Sequence, residues 1–472
     1  MRRLAGGRLD RRALLTGLLA IGAVPAWSAG AAARDIDPSG DVYRLARMTV
    51  FGTPRQAREA LIGLGRLGRA DAVPGLILAR RYGPLGRETD QLLAALTGNS
   101  QASSWDDWMV WQQTHPEVRP HVSFARLKLD VLSRIDLQFH RLLASGEQLR
   151  TVRLEEITWR GVKVDAIRAL TDPALVVGSE AGFMNGDDFV FGVEFDGHAR
   201  AYPLKIMDWH EILNDFVGGR PVTLVHCPLS GTAALYGTAM DGQAPPLKFR
   251  GSGLVYRSTM LMVDGEGGSL WDPLLGQPLA GPLAGSDLRL TPLPLTLTRW
   301  SDWRIRHPET SVLSIETGFG HAYLPGAADA GYAESDSPAF PVAIADFRMA
   351  PKDLVFGLRL PEGDKAWPLT AFADDTVIND DLNGAGLVLL GNARDRTVRA
   401  YRRDGQAFQA TSSPLVLFAG EQGVWRVTEA ALQGPNGAAL PRLAGPTASW
   451  FAWADRVGGG TPLFAPGSVP TD

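Results

Sequence analysis

The stretch LVHCPLSG at residues 224–231 contains the only cysteine of the chain, Cys227, directly after His226. If this stretch is a strand, alternation turns Val225 and Cys227 to one face and His226 to the other. A lone cysteine cannot form an internal disulfide. The thiol is therefore a buried apolar group, a metal ligand or a reactive nucleophile.

Polar side chains also cluster in DWHEILND at residues 208–215. We predict a short helix here, which places His210 and Asn214, four residues apart, on one face. Glu211 and Asp215 share the neighbouring face at the same spacing. A nucleophilic cysteine needs a base and a group that orients the base. The pattern therefore predicts His210 as that base, oriented by one of the two carboxylates.

A third candidate segment is GLVYRSTMLMVD at residues 253–264. Alternation along a strand gives one face that carries Tyr256, Ser258, Met260 and Met262. Thioether, thiolate and imidazole groups are soft ligands that copper prefers, although paired methionines also serve as ordinary core filler. The residues that could bind copper or another soft metal are Cys227, His210, Met262 and His226.

An internal repeat relates two parts of the chain. Residues 191–227 align without a gap to residues 356–392, at a constant offset of 165, with nine identities in 37 positions. Each copy is predicted to form a strand, a turn, a second strand, a short helix and a buried strand. The first copy alone carries the imidazoles and the thiol, since the aligned pairs are His210/Asp375, His226/Gly391 and Cys227/Asn392.

The sequence lacks the motifs of several well-known enzyme and nucleotide-binding classes. The chain contains no Walker loop, dinucleotide-binding fingerprint, G-x-S-x-G elbow or H-E-x-x-H motif, since HEILN has Asn214 where a zincin has histidine. A net charge of −4 gives no reason to expect a nucleic-acid partner.

The N-terminus has the layout of an export signal. Residues 1–33 contain five arginines, a short apolar run and a small-residue stretch. Arg11 and Arg12 followed by ALL resemble a twin-arginine signature. The apolar run is short for a bilayer span, so we predict a periplasmic or otherwise exported protein with no transmembrane span in the mature chain.

The remaining sequence predicts an α+β fold. Residues 41–120 have apolar positions at helical spacing, in pieces of about 10–13 residues like HEAT hairpins. This small all-α domain is a candidate docking module for an envelope protein, and residues 121–149 are predicted to add one connecting helix. Frequent strand and turn signals then predict a mainly β body of two related halves, residues 150–345 and 346–465.

Several motifs occur in the order typical of one family. HARAYPLKIMDWHEILND, VHCPLSGTAALY, GSGLVYRSTMLMVD, SLWDPLLGQPLAGPLAG and WSDWRIRHPETSVLS make residues 150–400 similar to the prokaryotic domain-of-unknown-function family 3179. The resemblance implies an exported or envelope protein and carries no settled reaction. The matching positions are His210, Glu211, Asn214, Asp215, Cys227, Met262, Asp264 and Trp271.

The chain departs from that family pattern at the thiol. Family members usually show tyrosine before the cysteine and a second cysteine in C-P-L-C, where this chain has His226 and Ser230. A C-x-x-C dithiol cycle is therefore excluded, and a bis-thiolate metal site is less favoured. The residues expected to line the site are Asn214, Ser230, Tyr256, Asp264 and Trp271.

Three hypotheses remain open from the sequence. One is a single soft-metal site around Cys227 and His210, with copper as the cofactor. The second is a reactive thiol activated by His210. The third is a non-catalytic binding or scaffold module in which the cysteine is a buried structural residue.

Overall fold

A computed structural model describes residues 41–144, 150–240, 245–265, 267–328 and 330–465. Two compact units form, one from residues 41–108 and 116–127, the other from residues 109–115 and 128–465. The predicted export signal, residues 1–33, lies outside the described residues and stays a prediction. In the described part of the chain, no helix has both the length and the apolar character that crossing a membrane requires.

The N-terminal region is helical, which confirms the predicted all-α part. Thr53 caps the second helix, since its hydroxyl accepts from the Gln56 amide while the Gln56 side chain bonds back to Thr53. The helices are α1 (Asp41–Phe51), α2 (Pro54–Leu67), α3 (Val73–Tyr82), α4 (Gly86–Thr97), α5 (Trp105–Thr114), α6 (Phe124–Ile135) and α7 (Gln138–Ala144).

The single connecting helix predicted over residues 121–149 is two helices in the structure. α6 ends at Ile135, and α7 begins at Gln138. The Asp136 carboxylate accepts from the Gln138 amide at 3.0 Å, so it caps the start of the new helix. Asp136 also accepts from the Val164 amide at 3.2 Å, which ties this break to the β-rich part of the chain.

The first half of the β-rich unit holds fifteen of the described strands and three short helices. The strands are β1 (Ile157–Trp159), β2 (Leu170–Thr171), β3 (Leu175–Val177), β4 (Phe189–Phe195), β5 (His198–Pro203), β6 (Ile212–Val217), β7 (Arg220–Cys227), β8 (Thr232–Gly237), β9 (Phe249–Tyr256), β10 (Thr259–Asp264), β11 (Leu270–Asp272), β12 (Gln277–Ala280), β13 (Thr291–Leu293), β14 (Thr296–Arg299) and β15 (Ser311–Leu313). The helices are α8 (Leu204–His210), α9 (Trp300–Arg306) and α10 (Ala330–Ala333).

The second half continues with eleven described strands and one helix. They are β16 (Leu354–Leu360), β17 (Gly363–Pro368), β18 (Thr376–Leu382), β19 (Ala385–Asn392), β20 (Thr397–Arg402), β21 (Gln409–Ala410), β22 (Val416–Phe418), β23 (Val424–Val427), β24 (Ala431–Gln433), β25 (Ala439–Leu443), β26 (Thr447–Ser449) and α11 (Trp450–Val457).

One sheet is shared by both halves. Its order is β17-β16-β26-β8-β7-β6-β2, with β13 also pairing to β8, and only β2 and β6 are parallel. β26 meets β8 where Thr447 lies opposite Ala233 and where the Ser449 amide donates to the Ser230 carbonyl at 2.8 Å. We call this junction, formed by Ser230, Ala233, Thr447 and Ser449, the seam.

Three further sheets surround the shared one. Their strand orders are β14-β4-β5-β15-β3, β1-β9-β10-β11-β12 and β18-β19-β20-β25-β24-β23-β22-β21. β7 is buried on both faces, with Leu224 in one apolar cluster and Val225 in another. Burial of each such aliphatic side chain stabilises the folded state by about 1.5–3 kcal/mol relative to leaving it exposed.

The predicted repeat is confirmed as two copies of one unit. β4 and β16 begin 165 residues apart, and β5, β7 and β8 keep the same offset to β17, β19 and β20. The likeness extends beyond the aligned sequence to the Trp-x-x-Trp helices α9 and α11. Gly192 packs directly against the Trp303 ring, and Gly357 packs in the same way against Trp453.

The predicted helix over residues 208–215 is wrong in its second half. α8 ends at His210, and β6 begins at Ile212. Ile212 pairs with Val225 and Asn214 with Thr223, so the ladder with β7 and the β-branched Ile212 favour a strand. His210 and Asn214 therefore do not share a helix face, and neither do Glu211 and Asp215.

Gly357→Ala should destabilise the protein because its new Cβ would lie well inside van der Waals contact with the Trp453 ring. We expect a loss of about 1–3 kcal/mol in the free energy of unfolding, measured by urea denaturation. Gly182→Ala is the matched control, because a Cβ there meets no atom within 4 Å. Equal stability of the two variants would contradict the packing described.

Candidate functional site

The two candidate residues of β7 lie on opposite faces of the shared sheet. Cys227 is fully buried in an apolar cluster with Ile212, Met260 and Met262. Its Sγ accepts from the Met260 amide at 3.4 Å. His226 lies on the other face, where it lines a cavity. The thiol and the imidazole that precedes it thus belong to different environments.

The surroundings of Cys227 keep its thiol protonated. Burial raises the pKa of the Cys227 thiol, and the nearby Glu211 carboxylate raises that pKa further. Hydrogen bonds from Ser230 and from the Met260 amide only partly oppose these effects. A buried thiol of raised pKa in an apolar setting is unreactive, because the nucleophile is the thiolate.

Glu211 stands in a strained position between α8 and β6. Its φ is +59°, which an L-residue with a long side chain rarely adopts, and its side chain is buried. Arg160 donates two hydrogen bonds to its carboxylate, at 2.6 and 2.8 Å. This bidentate pair compensates the buried charge and holds the turn at the end of α8.

Both ring nitrogens of His210 form hydrogen bonds with residues other than Cys227. Its Nδ1 lies 2.7 Å from the Arg168 carbonyl and its Nε2 lies 2.6 Å from the Tyr323 hydroxyl. A carbonyl only accepts, so Nδ1 carries the proton and Nε2 accepts from Tyr323. Burial lowers the pKa of His210, the Arg168 carbonyl acts in the opposite direction, and His321 lowers it further. Neither ring nitrogen bonds to Cys227 within the described structure.

Asn214 has a counterpart in the second copy, Asn379, that forms the same hydrogen bonds. Its side chain donates to the Phe249 carbonyl and accepts from the Phe249 amide, each at 2.9 Å. In the second copy Asn379 forms the same two bonds with Phe408, at 2.7 and 2.8 Å. This asparagine therefore anchors the strand that follows the unit.

Asp215 also has a counterpart with the same role. It accepts from Tyr202 at 2.8 Å and from Arg200 at 2.5 Å. Asp380 accepts likewise from Trp367 and Lys365, each at 2.8 Å. The second copy has no cysteine, yet its aspartate forms the same kind of hydrogen bonds. This carboxylate is therefore a structural acceptor in both copies.

Of the other predicted site residues, Met262, Trp271 and Ser230 lie near Cys227. Met262 and Trp271 belong to the Cys227 cluster, and the Trp271 indole donates to Asp264 at 2.9 Å. Ser230 bonds to Thr232 at 2.9 Å. Tyr256 lies under the Arg456 guanidinium, and burial raises the pKa of its phenol to about 12.

The four candidate copper ligands are not brought together. Cys227 and Met262 lie in the apolar cluster, His226 lines the cavity and His210 bonds to Tyr323. Within the part of the chain that the structure describes, no three His, Cys, Asp or Glu side chains are grouped so that they could hold a metal ion.

The structure instead places a cavity of about 440 Å³ at the seam. The first half contributes His226, Phe191 and Gly231, and the second half contributes Lys352 and Arg396. A volume of this size is typical of sites for small organic molecules. We call it the seam cavity.

His226 and Asp208 form a hydrogen-bonded dyad on its wall. The Nε2 of His226 lies 2.9 Å from an Asp208 carboxylate oxygen. A carboxylate accepts, so Nε2 donates, and in the neutral form of the ring Nδ1 is the unprotonated nitrogen. Nδ1 is buried and has no hydrogen-bond partner among the described residues. Such an oriented imidazole is the usual form of a general base.

The two lysines that line the seam cavity are already hydrogen-bonded. Lys205, itself buried, donates to Asp188 at 2.7 Å. Lys352 donates to the Tyr332 and Ser335 carbonyls at 2.6 and 2.5 Å, and burial lowers the pKa of its ammonium group. Tyr332 in turn donates to the Leu229 carbonyl at 2.6 Å, which fixes α10 beside the cavity.

Sequence reasoning missed Asp208, Lys352 and Arg396. For Asp208 a signal was present, since it aligns with Ala373 in the second copy just as His226 aligns with Gly391. The second copy therefore has neither residue of the dyad. No comparable signal identifies the residues that the second half contributes.

The fold and the seam cavity define a protein of two related β-rich halves joined by a shared sheet. The chain belongs to the DUF3179 family, described as proteins of unknown function, whose profile matches residues 164–458. The match covers the second half as well as the motifs recognised in the first. No curated protein and no solved structure matches this chain.

The Cys227 thiol should resist alkylation in the folded protein, because it is buried and protonated. We expect iodoacetamide at pH 8 to react at least about 100-fold more slowly with native protein than with protein in guanidinium. Cys227→Ala/Ser286→Cys supplies an accessible thiol as the control, since Ser286 is exposed. Rapid native alkylation would restore the reactive-thiol hypothesis.

Acidification should destabilise the protein through His210. Its pKa is lowered on folding from the ordinary value of 6.5, so the unfolded chain binds more protons just below that pH. The stabilisation by neutral His210 is complete above about pH 6.5 and is lost as the pH falls. His210→Gln should lose less unfolding free energy between pH 7.5 and 5.5 than wild type, measured with urea. Parallel losses would refute this contribution.

Proposed function

We propose that this protein binds a small organic molecule in the seam cavity and exchanges a proton with it through His226. The observation that carries the proposal is the unpartnered Nδ1 of an imidazole whose Nε2 is fixed by Asp208. The proton moves from the bound molecule to Nδ1 and returns from Nδ1 to the product. Asp208 positions the ring and stabilises the imidazolium formed between these two steps.

The walls of the seam cavity support this function. Phe189, Phe191 and Leu204 offer apolar surface for the body of a ligand. The charged groups stand around this surface, as in sites where few polar groups fix the orientation of a ligand.

The buried state of Cys227 supports a structural role for the thiol within this function. Its contacts are those of a small apolar side chain, with weak hydrogen bonds from the Met260 amide and the Ser230 side chain. The thiol packs β7 against β10 and thereby supports the strand whose opposite face carries His226. The proposed activity therefore uses the residue beside the cysteine and not the cysteine.

The dyad can be tested by nitrogen NMR of ¹⁵N-histidine-labelled protein. We expect wild-type His226 to show a protonated Nε2 and an unprotonated Nδ1, and a panel of small organic fragments to shift the Nδ1 signal. In Asp208→Asn the single tautomer should be lost, because the fixed acceptor is removed. Asp208→Asn should also slow His226-dependent deuterium exchange into bound fragments by about 10²–10⁴-fold.

His321→Gln is the matched control for these spectra. His321 stacks on Trp209 with ring centroids 4.4 Å apart and does not line the seam cavity. Its replacement should leave both the His226 tautomer and fragment binding unchanged. If no fragment shifts the His226 signals, the proposed function is wrong.

A further inference from the structure

Among the described residues, Arg396 is a cationic group of the seam cavity whose side chain has neither a hydrogen-bond acceptor nor an anionic partner. Its guanidinium lies over the Phe189 ring, 4.9 Å from the ring centroid, at the exposed edge of the cavity. Within the described residues it forms no side-chain hydrogen bond and no ion pair. Five N–H donors are therefore available beside an apolar wall.

A second guanidinium near the same ring shows the contrast. Arg299 lies 5.3 Å from the Phe189 centroid, but it donates to Asp395 at 2.6 Å and to Asp187 at 2.7 Å. Its charge is thus compensated by two carboxylates. The fold neutralises one arginine at this aromatic ring and leaves the other available to a bound group.

The backbone at Arg396 has a strained conformation that glycine would adopt without strain. Arg396 has a φ of +53°, in the turn between β19 and β20. The equivalent residue in the first copy, 165 positions earlier, is Gly231 with a φ of +60°. An L-residue is disfavoured in this left-handed conformation, and strained positions of this kind cluster at functional sites.

We propose that Arg396 binds the carboxylate of the ligand, so that the seam cavity takes small organic acids. The planar guanidinium presents parallel donors that match the two oxygens of a carboxylate. The apolar body of the acid then lies along Phe189 and Phe191, toward His226. This inference rests on the proposed function, because it names the ligand class of the same cavity.

The test compares phenylacetate with its neutral isostere phenylacetamide by calorimetry on the full-length protein. We expect the acid to bind at least about 10-fold more tightly than the amide. Arg396→Gln and Arg396→Gly should weaken phenylacetate binding by about 10- to 100-fold, as charge-assisted hydrogen bonds are lost. Arg394→Gln is the control, because Arg394 is exposed in the same turn and does not line the cavity.

Arg396→Gly separates loss of binding from loss of folding. Glycine adopts this φ without strain, so the urea midpoint of the variant should equal or exceed that of wild type. A lower midpoint would show that Arg396 is needed for the fold, and would overturn its assignment as a ligand anchor.

The remaining outcomes distinguish this inference from the proposed function. If acid and amide bind equally and both shift the His226 signals, the cavity binds ligands and the carboxylate anchor is wrong. If phenyl phosphate binds more tightly than phenylacetate through Arg396, the ligand class is a phosphate ester instead. If none of the three compounds shifts the His226 signals, both proposals are wrong.

Discussion

The Ser449 amide donates to the Ser230 carbonyl across 2.8 Å, and through this contact the last strand of the second half joins the sheet of the first. Gly231, Ala233, Thr447 and Ser449 all line the seam cavity, so its floor exists only where the two halves meet. Because β26 continues directly into α11, the same junction fixes the helix whose Trp453 packs against Gly357. The cavity is thus a product of the junction between halves and not of either half.

Comparison of the two copies distinguishes residues that the fold needs from residues that belong to the seam cavity alone. Asn214 and Asn379 bond in the same way to the backbone of an equivalent phenylalanine, so this amide belongs to the fold. His226 and Asp208 have Gly391 and Ala373 as counterparts, so the dyad belongs to one copy only. A duplicated unit can keep its packing residues twice and its polar cavity residues once.

Much of the fold could be predicted because its signals are local. Alternating strands and tight turns act within short stretches of chain, and the ungapped repeat is read by direct comparison of two stretches, so the β-rich, two-copy body followed from them. The boundary at His210 was missed because the ladder between Ile212 and Val225 overrides a helical pattern. The seam cavity is lined in part by Lys352 and Arg396, which lie over a hundred residues from His226 and bear no motif. Long-range placement of this kind is set by tertiary packing, which no spacing in the sequence encodes.

The position of β26 as the last described strand of the β-rich unit has a consequence for folding. Ser230 and Ser449 are separated by more than two hundred residues, so the contact between them closes a very long loop. The entropy of closing such a loop must be offset before the contact forms, so non-local pairing of this kind is slow. A chain cut short before β26 would lose the last wall of the cavity even where its earlier sheets had formed. The seam cavity is therefore complete only once the chain has folded through β26.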